Sequence, residues 1–128
     1  MEIARVYDDT SAKSPNVSRY LVERLWPRGI KKESLHLDGW LADVAPSTAL
    51  RKWFGHKPER WPEFRKRYLT ELHENRSAWE PLLEAARRGN VTLLYSARDT
   101  KHNSALVLRD FLNSELTKIN RRDSRMVS

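Results

Sequence analysis

The sequence predicts a small single-domain α/β protein in which a short, mainly parallel sheet is covered by helices. Three observations lead to this prediction. The chain has 128 residues, the length of one ordinary domain, and such a chain buries roughly two-thirds of its unfolded surface on folding. Residues 91–97 (VTLLYSA) are almost continuously apolar, as expected of a strand buried on both faces. Strand-like segments alternate with helical ones along the chain, an order typical of crossover connections.

Three strands are predicted, at residues 3–7, 20–25 and 91–97. The first is short and rich in branched and aromatic residues, and the second ends in charged residues. Side chains alternate between the two faces of a strand, so Glu23 and Arg24 point to opposite sides of the second one. A charged residue on each face is tolerated where a strand emerges at a rim or where the charges are paired.

Four helices are predicted, at residues 47–55, 58–75, 77–89 and from Asn103 or Ser104 onward. Ser47 is the expected N-cap of the first, and Gly55 ends it. Ser77 and Glu80 have capping-box spacing at the start of the third. The second helix carries one apolar face, formed by Trp61, Phe64, Tyr68 and Leu72.

The domain is predicted to span residues 1–117, followed by a basic, frayed tail at 118–128. The chain contains no cysteine, so disulfides, thiolate metal sites and cysteine nucleophiles are excluded. The opening MEIARVYDD lacks the basic start and apolar run of a signal peptide, and no apolar run approaches the ~20 residues of a membrane helix. We therefore expect a cytoplasmic protein without membrane attachment.

The net charge is +7, and its excess lies in the middle and the end of the chain. Residues 1–50 carry seven basic and seven acidic side chains, whereas residues 51–112 carry thirteen basic and eight acidic ones. Such a balance favours anionic partners, although a solvated face that keeps the protein soluble produces the same excess.

A ligand pocket is predicted where the strands end. In a covered parallel sheet, ligands collect beyond the carboxyl ends of the strands. The second strand runs into Arg24-Leu25-Trp26-Pro27-Arg28-Gly29, and the third into Ser96, Arg98 and Asp99 ahead of the last helix. If the strands are parallel, these residues converge on a phosphate- or carboxylate-sized pocket. The predicted ligand-binding residues are Arg24, Trp26, Arg28, Ser96, Arg98 and Asn103.

Each of these residues also has a structural interpretation. The arginines could pair with internal carboxylates, and Trp26 could belong to the core. Asp99, His56 and Asp8 are candidates for proton transfer, because a carboxylate or an imidazole at the strand ends could exchange protons with a ligand. Whether the pocket serves catalysis or binding alone stays open at this point.

The stretch RKWFGHKPERW, residues 51–61, suggests an alternative partner. Its aromatic side chains could stack on bases while Arg51, Lys57 and Arg60 meet phosphates, which would make the basic region 51–67 and the tail a nucleic-acid-binding surface. The tryptophans could equally fix the helix to the core, which we favour. No phosphate-binding loop, dinucleotide-binding glycine pattern or histidine ligand spacing occurs, so no cofactor and no metal are predicted.

Several motifs together resemble one bacterial family. YLVERLWPRGIKKESLHLDGW, APSTALRKWFGHKPERWPEFRKRYLTEL and VTLLYSARDTKHNSALVLRDFL are similar to the YeaO-like proteins of the family called domain of unknown function 488. The resemblance runs from about residue 3 to residue 112. It implies a small cytosolic α/β domain and supplies no established activity. More distant relatives carry Cys-His-Arg where this chain has His102-Asn103-Ser104, so thiol chemistry does not transfer to it.

Overall fold

A four-stranded, all-parallel sheet forms the centre of the protein. The computed structural model describes residues 1–8 and 16–127, with the backbone alone over 123–127. The sheet has the order β1-β4-β2-β3, with strands β1 (Glu2–Arg5), β2 (Val17–Leu21), β3 (Gly39–Trp40) and β4 (Asn90–Tyr95). The predicted α/β class and parallel sheet are confirmed.

In the described part of the chain, four α-helices accompany the sheet: α1 (Thr48–Phe54), α2 (Trp61–Glu74), α3 (Arg76–Arg88) and α4 (Ser104–Val127). Ser47 caps α1, since its Oγ accepts from the Leu50 N–H at 3.2 Å. Gly55 follows with φ +54°, a left-handed conformation that suits glycine and ends the helix. None of the helices in the described residues combines the length and apolar character that a membrane span needs.

The buried side chains form two clusters, one on each face of the sheet. On one face, Leu93 and Tyr95 of β4 pack with apolar residues of all four helices. On the other face, Leu21 and Leu94 pack with Val6 and Leu35. Leu35 belongs to the long connection between β2 and β3, so within the described residues this face is covered by that connection, with its short 3-10 helix at Lys32–Ser34, rather than by an α-helix.

Several predicted boundaries were wrong. The second strand lies at Val17–Leu21 rather than at 20–25, because its ladder ends once Val22 N–H has bonded the Leu94 carbonyl at 3.1 Å. The two-residue strand β3 carries too little pattern to be predicted. The third helix begins at Arg76, so the Ser77 capping box does not form. α4 continues through the segment that we assign to a basic tail, and its fraying stays a prediction.

Candidate functional site

A cavity of about 340 Å³ lies at the carboxyl ends of the two central strands. Glu23 follows β2 and Ser96 follows β4, and both line it. Its other walls are the helix α1 with the residues before it, and the beginning of α4. The cavity therefore occupies the sheet edge at which a parallel α/β domain is expected to bind ligands.

The floor of the cavity contains a fixed carboxylate. Glu23 Oε1 accepts hydrogen bonds from the Ser96 N–H at 2.7 Å and from the Ser96 Oγ at 3.0 Å. These bonds tie the residue after β2 to the residue after β4. They occupy one carboxylate oxygen and hold the side chain of Glu23 in one orientation.

One wall of the cavity is cationic and comes from α1. Thr48, Arg51 and Lys52 have the spacing that places residues on a single helix face, and all three line the cavity. The helix is held by Ser47, whose N–H and Oγ donate to the Glu71 carboxylate of α2 at 2.9 and 2.6 Å. Arg51 and Lys52 are exposed and form no ion pair with any described carboxylate.

A second wall carries a histidine whose ring is oriented by a carboxylate. His102 Nδ1 lies 2.9 Å from Asp99 Oδ2, and Asp99 Oδ1 accepts from the N–H groups of Lys101 and His102 at 2.9 and 3.0 Å. The Lys101 N–H, and next the His102 ring, lower the pKa of Asp99. Because an ionised carboxylate only accepts, Nδ1 carries the proton toward it, and Nε2 of a neutral His102 forms no hydrogen bond with a described residue.

Apolar side chains complete the cavity. Phe54 and Phe64 both line it, and their rings stack with centroids 4.4 Å apart. Leu25, on the same lining, is 67% exposed. The cavity thus offers an apolar surface, two cations, one carboxylate and two histidines, and it opens to solvent.

Three of the predicted site residues line this cavity. They are Ser96, His56 and Asn103. His56 stands in the loop after α1 with φ +56°, a conformation rare for a residue with a side chain. Asn103 is 3% exposed and caps α4, because its Oδ1 accepts from the Leu106 N–H at 3.1 Å while its Nδ2 donates to the Asp99 carbonyl at 3.0 Å.

Arg24 and Trp26 lie elsewhere and make internal contacts. Arg24 donates to the carbonyls of Pro46 and Ala45 at 3.0 and 2.9 Å and lines a second cavity, beside Tyr68. Trp26 Nε1 donates to the Ile30 carbonyl at 2.7 Å, and its ring packs with the cluster that contains Leu21 and Leu94. The structural interpretation of these two residues fits their contacts.

The remaining predicted residues do not line the cavity. Arg28 and Arg98 are exposed, and no ion pair joins either of them to a described carboxylate. Asp8 lies 3.4 Å from Arg5 at the end of β1. Asp99 orients the ring of His102, which lines the cavity. The expected convergence of Arg24, Arg28 and Arg98 over one cavity is therefore not what the structure shows.

The cavity contains four charged or titratable groups that sequence reasoning did not place there: Glu23, Arg51, Lys52 and His102. Glu23 is predicted only as a charge at a strand end and Arg51 only as a phosphate contact of the alternative nucleic-acid surface. Lys52 and His102 are not among the predicted site residues. One signal was available for His102: Asp99 precedes it by three residues immediately before a helix, a spacing that suits an Asp–His pair. The described residues contain no group of three histidines or carboxylates able to hold a metal ion.

The aromatic residues of α1 and α2 pack inward. Phe54 is buried and Trp61 stacks on Phe64 with centroids 5.6 Å apart. Trp53 lies beneath two guanidinium groups, those of Arg60 and Arg67, at 5.3 and 4.2 Å from its ring centroid. These contacts favour the structural interpretation of the tryptophans over base stacking.

Comparison with known proteins agrees with the fold and the motifs. The chain matches, over residues 1–128, a family model described as "Inactive DUF488-N3 subclade". It is 45% identical over 114 residues to the Escherichia coli K12 protein "Uncharacterized protein YeaO", covering 89% of this chain and 97% of that protein. It is 40% identical over 113 residues to "Uncharacterized protein Rv3073c" of Mycobacterium tuberculosis H37Rv and to "Uncharacterized protein Mb3100c" of Mycobacterium bovis, in each case covering 88% of this chain and 93% of the relative. No solved structure matches significantly. Because the family model matches residues 1–128, the chain belongs to the inactive DUF488-N3 subclade, among the YeaO-like proteins.

Proposed function

We propose that this protein binds a small ligand bearing a phosphate or carboxylate group in the cavity at the strand ends. One observation carries the proposal. Arg51 and Lys52 project from α1 into the cavity, exposed and without a carboxylate partner among the described residues. A guanidinium and an ammonium left unpaired beside an apolar surface suit an anion that is attached to a larger, partly apolar body.

The charge of the cavity is compatible with an anion despite Glu23. Arg51 and Lys52 contribute two positive charges against the one negative charge of Glu23. Glu23 is a hydrogen-bond acceptor and cannot donate. A ligand that fits both ends therefore carries its anionic group toward α1 and an N–H or O–H donor toward Glu23.

Binding is favoured over catalysis. The subclade is described as inactive, which fits a domain whose cavity serves recognition. His102, whose Nδ1 is held by Asp99, then offers Nε2 to the ligand as a hydrogen-bond acceptor.

The test is titration of the purified chain with pyrophosphate and with a nucleoside monophosphate, followed by calorimetry and by NMR shifts of the residues that line the cavity. Arg51→Ala and Lys52→Ala should each weaken binding about tenfold, because a hydrogen bond to a charged group contributes about 1.5 kcal/mol or more. Arg87→Ala is the matched control, since Arg87 is an exposed cation on α3 that pairs with Glu84.

Two results would reject the proposal. The first is no binding of either probe at low salt. The second is binding that Arg87→Ala weakens as much as Arg51→Ala does, which would mean that the overall charge, rather than the cavity, attracts the anion.

We also propose a cytoplasmic location. The chain has no cysteine among its 128 residues, which suits a compartment in which disulfides do not stabilise proteins. Fractionation of cells that express a tagged chain tests this location.

A further inference from the structure

The rim of the cavity carries more positive charge than a small anion needs. Lys57 directly follows His56, a lining residue, while Arg98 and Lys101 stand in the loop that joins the lining residues Ala97 and His102. We call these three residues, with Arg51 and Lys52, the mouth cations. All five are exposed, and none forms an ion pair with a described carboxylate.

Cations elsewhere on the helices are partly paired. Arg65, Lys66 and Arg88 form no ion pair with a described carboxylate, but in Arg67–Glu63, Arg76–Glu80 and Arg87–Glu84 the carboxylate lies one helical turn away. Such pairing is expected of a solvated helix face. The mouth cations lack these partners and come from two separate segments that meet at one opening, so their positive field is concentrated there.

The interior of the cavity suits a single nucleotide. Phe54, Phe64 and Leu25 offer apolar surface to a ring, and Glu23 offers an acceptor to the N–H of a base or the O–H of a sugar. A volume of about 340 Å³ lies at the lower end of the range for small-molecule sites. A base-paired end, with two stacked strands, does not enter a space of that size.

We propose that the cavity holds the terminal nucleotide of a single-stranded nucleic acid, with the adjoining phosphates lying along the mouth cations. This inference rests on the proposed function, since it names the anionic group in the cavity as a terminal phosphate. Trp53 does not serve as a stacking platform here, because guanidinium groups already cover its ring. Base contacts are confined to the cavity, and the rest of the strand is bound through its backbone.

The experiment measures the affinity for fluorescent single strands of about ten nucleotides by anisotropy across a salt series. The strands carry a phosphate at the 5′ end, at the 3′ end, or at neither, and a hairpin without a free single-stranded end is the fourth probe. We expect one of the phosphorylated strands to bind best and the hairpin worst. The logarithm of affinity should fall with the logarithm of salt at a slope between about −2 and −3.5, which corresponds to three to five phosphates.

Variants separate the mouth from the cavity. Lys57→Ala with Lys101→Ala should reduce the salt slope for the strand by about 1.4, because each lost phosphate contact removes about 0.7. Their effect on a nucleoside monophosphate should be much smaller. Arg51→Ala should weaken both ligands and abolish the preference for a phosphorylated end, and Arg87→Ala should change neither.

Each alternative result is decisive. Strands that bind no tighter than the monophosphate at low salt overturn this inference and leave the proposed function standing, whereas failure of both ligands rejects the two together. A hairpin that binds as tightly as the strand would show that the cavity does not hold a terminal nucleotide, and it also overturns the inference. Displacement of the strand by tripolyphosphate at equal phosphate concentration shows that charge alone is recognised, and it also overturns the inference.

Discussion

Replacement of Asn103 by alanine tests how the structure builds the cavity. Asn103 is 3% exposed and uses both ends of its amide. Its Oδ1 accepts from the Leu106 N–H in the first turn of α4, and its Nδ2 donates to the Asp99 carbonyl. The side chain therefore joins the beginning of a helix to the loop that orients His102.

The expected loss of stability follows from these two bonds. Removal of an N-cap side chain costs about 1 kcal/mol, and loss of a neutral hydrogen bond to a carbonyl costs about 1 kcal/mol more. We therefore expect Asn103→Ala to lower the free energy of unfolding by about 2 kcal/mol. For a domain of this length, a loss of 1 kcal/mol in the free energy of unfolding lowers Tm by about 3–5 °C. The Tm of Asn103→Ala should therefore fall by about 6–10 °C.

Two further variants allow the bonds to be separated. Asn103→Ser retains a cap of similar strength and gives up only the bond to Asp99, so its Tm should fall by about half as much. Asn113→Ala is the control, because Asn113 is exposed in the middle of α4 and alanine is a better helix former. Thermal and urea unfolding measure all three. A Tm for Asn103→Ala within 2 °C of the parent chain, or no difference between the serine and alanine variants, would refute this account of α4.

Four other outcomes are expected. The pKa of Asp99 is lowered in the folded protein, so the stability that its carboxylate contributes is complete above the usual pKa of 3.8 and is lost as the pH falls through the lowered pKa. Below about pH 4, the free energy of unfolding measured with urea should therefore fall more steeply for the parent chain than for Asp99→Asn. Tyr68→Phe should cost about 1–3 kcal/mol with an unchanged urea m-value, because Tyr68 is 1% exposed and its hydroxyl donates to the Val44 carbonyl at 2.6 Å. Arg24→Ala should lower the free energy of unfolding by about 1–2 kcal/mol in the same assay, because hydrogen bonds from a partly exposed guanidinium stabilise the fold less than those from a buried one. Arg28→Ala, at an exposed position, should leave Tm within 2 °C.

The features that the sequence predicted correctly are those that depend on local chemistry. The continuous apolar run of β4 predicts a strand buried on both faces, and its residues do divide between the two clusters. Ser47, Gly55 and Asn103 end or begin their helices through bonds that the residue types themselves supply. The position of the cavity follows from the parallel sheet alone, since strand ends gather at one edge.

The features that could not be predicted depend on relations between distant segments. β3 is two residues long and exists only because β2 lies beside it. The cationic wall comes from α1, whose placement depends on a bond from Ser47 to Glu71, 24 residues away. No local pattern records where that helix will lie relative to the strand ends.

Whether Glu23 or Arg24 faces the cavity decides which charges line the site, and the sequence does not determine it. Alternation puts the two side chains on opposite sides, but it does not say which side faces the cavity. The structure turns Glu23 to Ser96 on the cavity floor and Arg24 to the carbonyls of Ala45 and Pro46. Arg24 thus holds the segment that leads into α1, and α1 presents the cations that line the cavity. Arg24, which the sequence predicted as a ligand-binding residue, therefore does not line this cavity. It positions the helix that supplies Arg51.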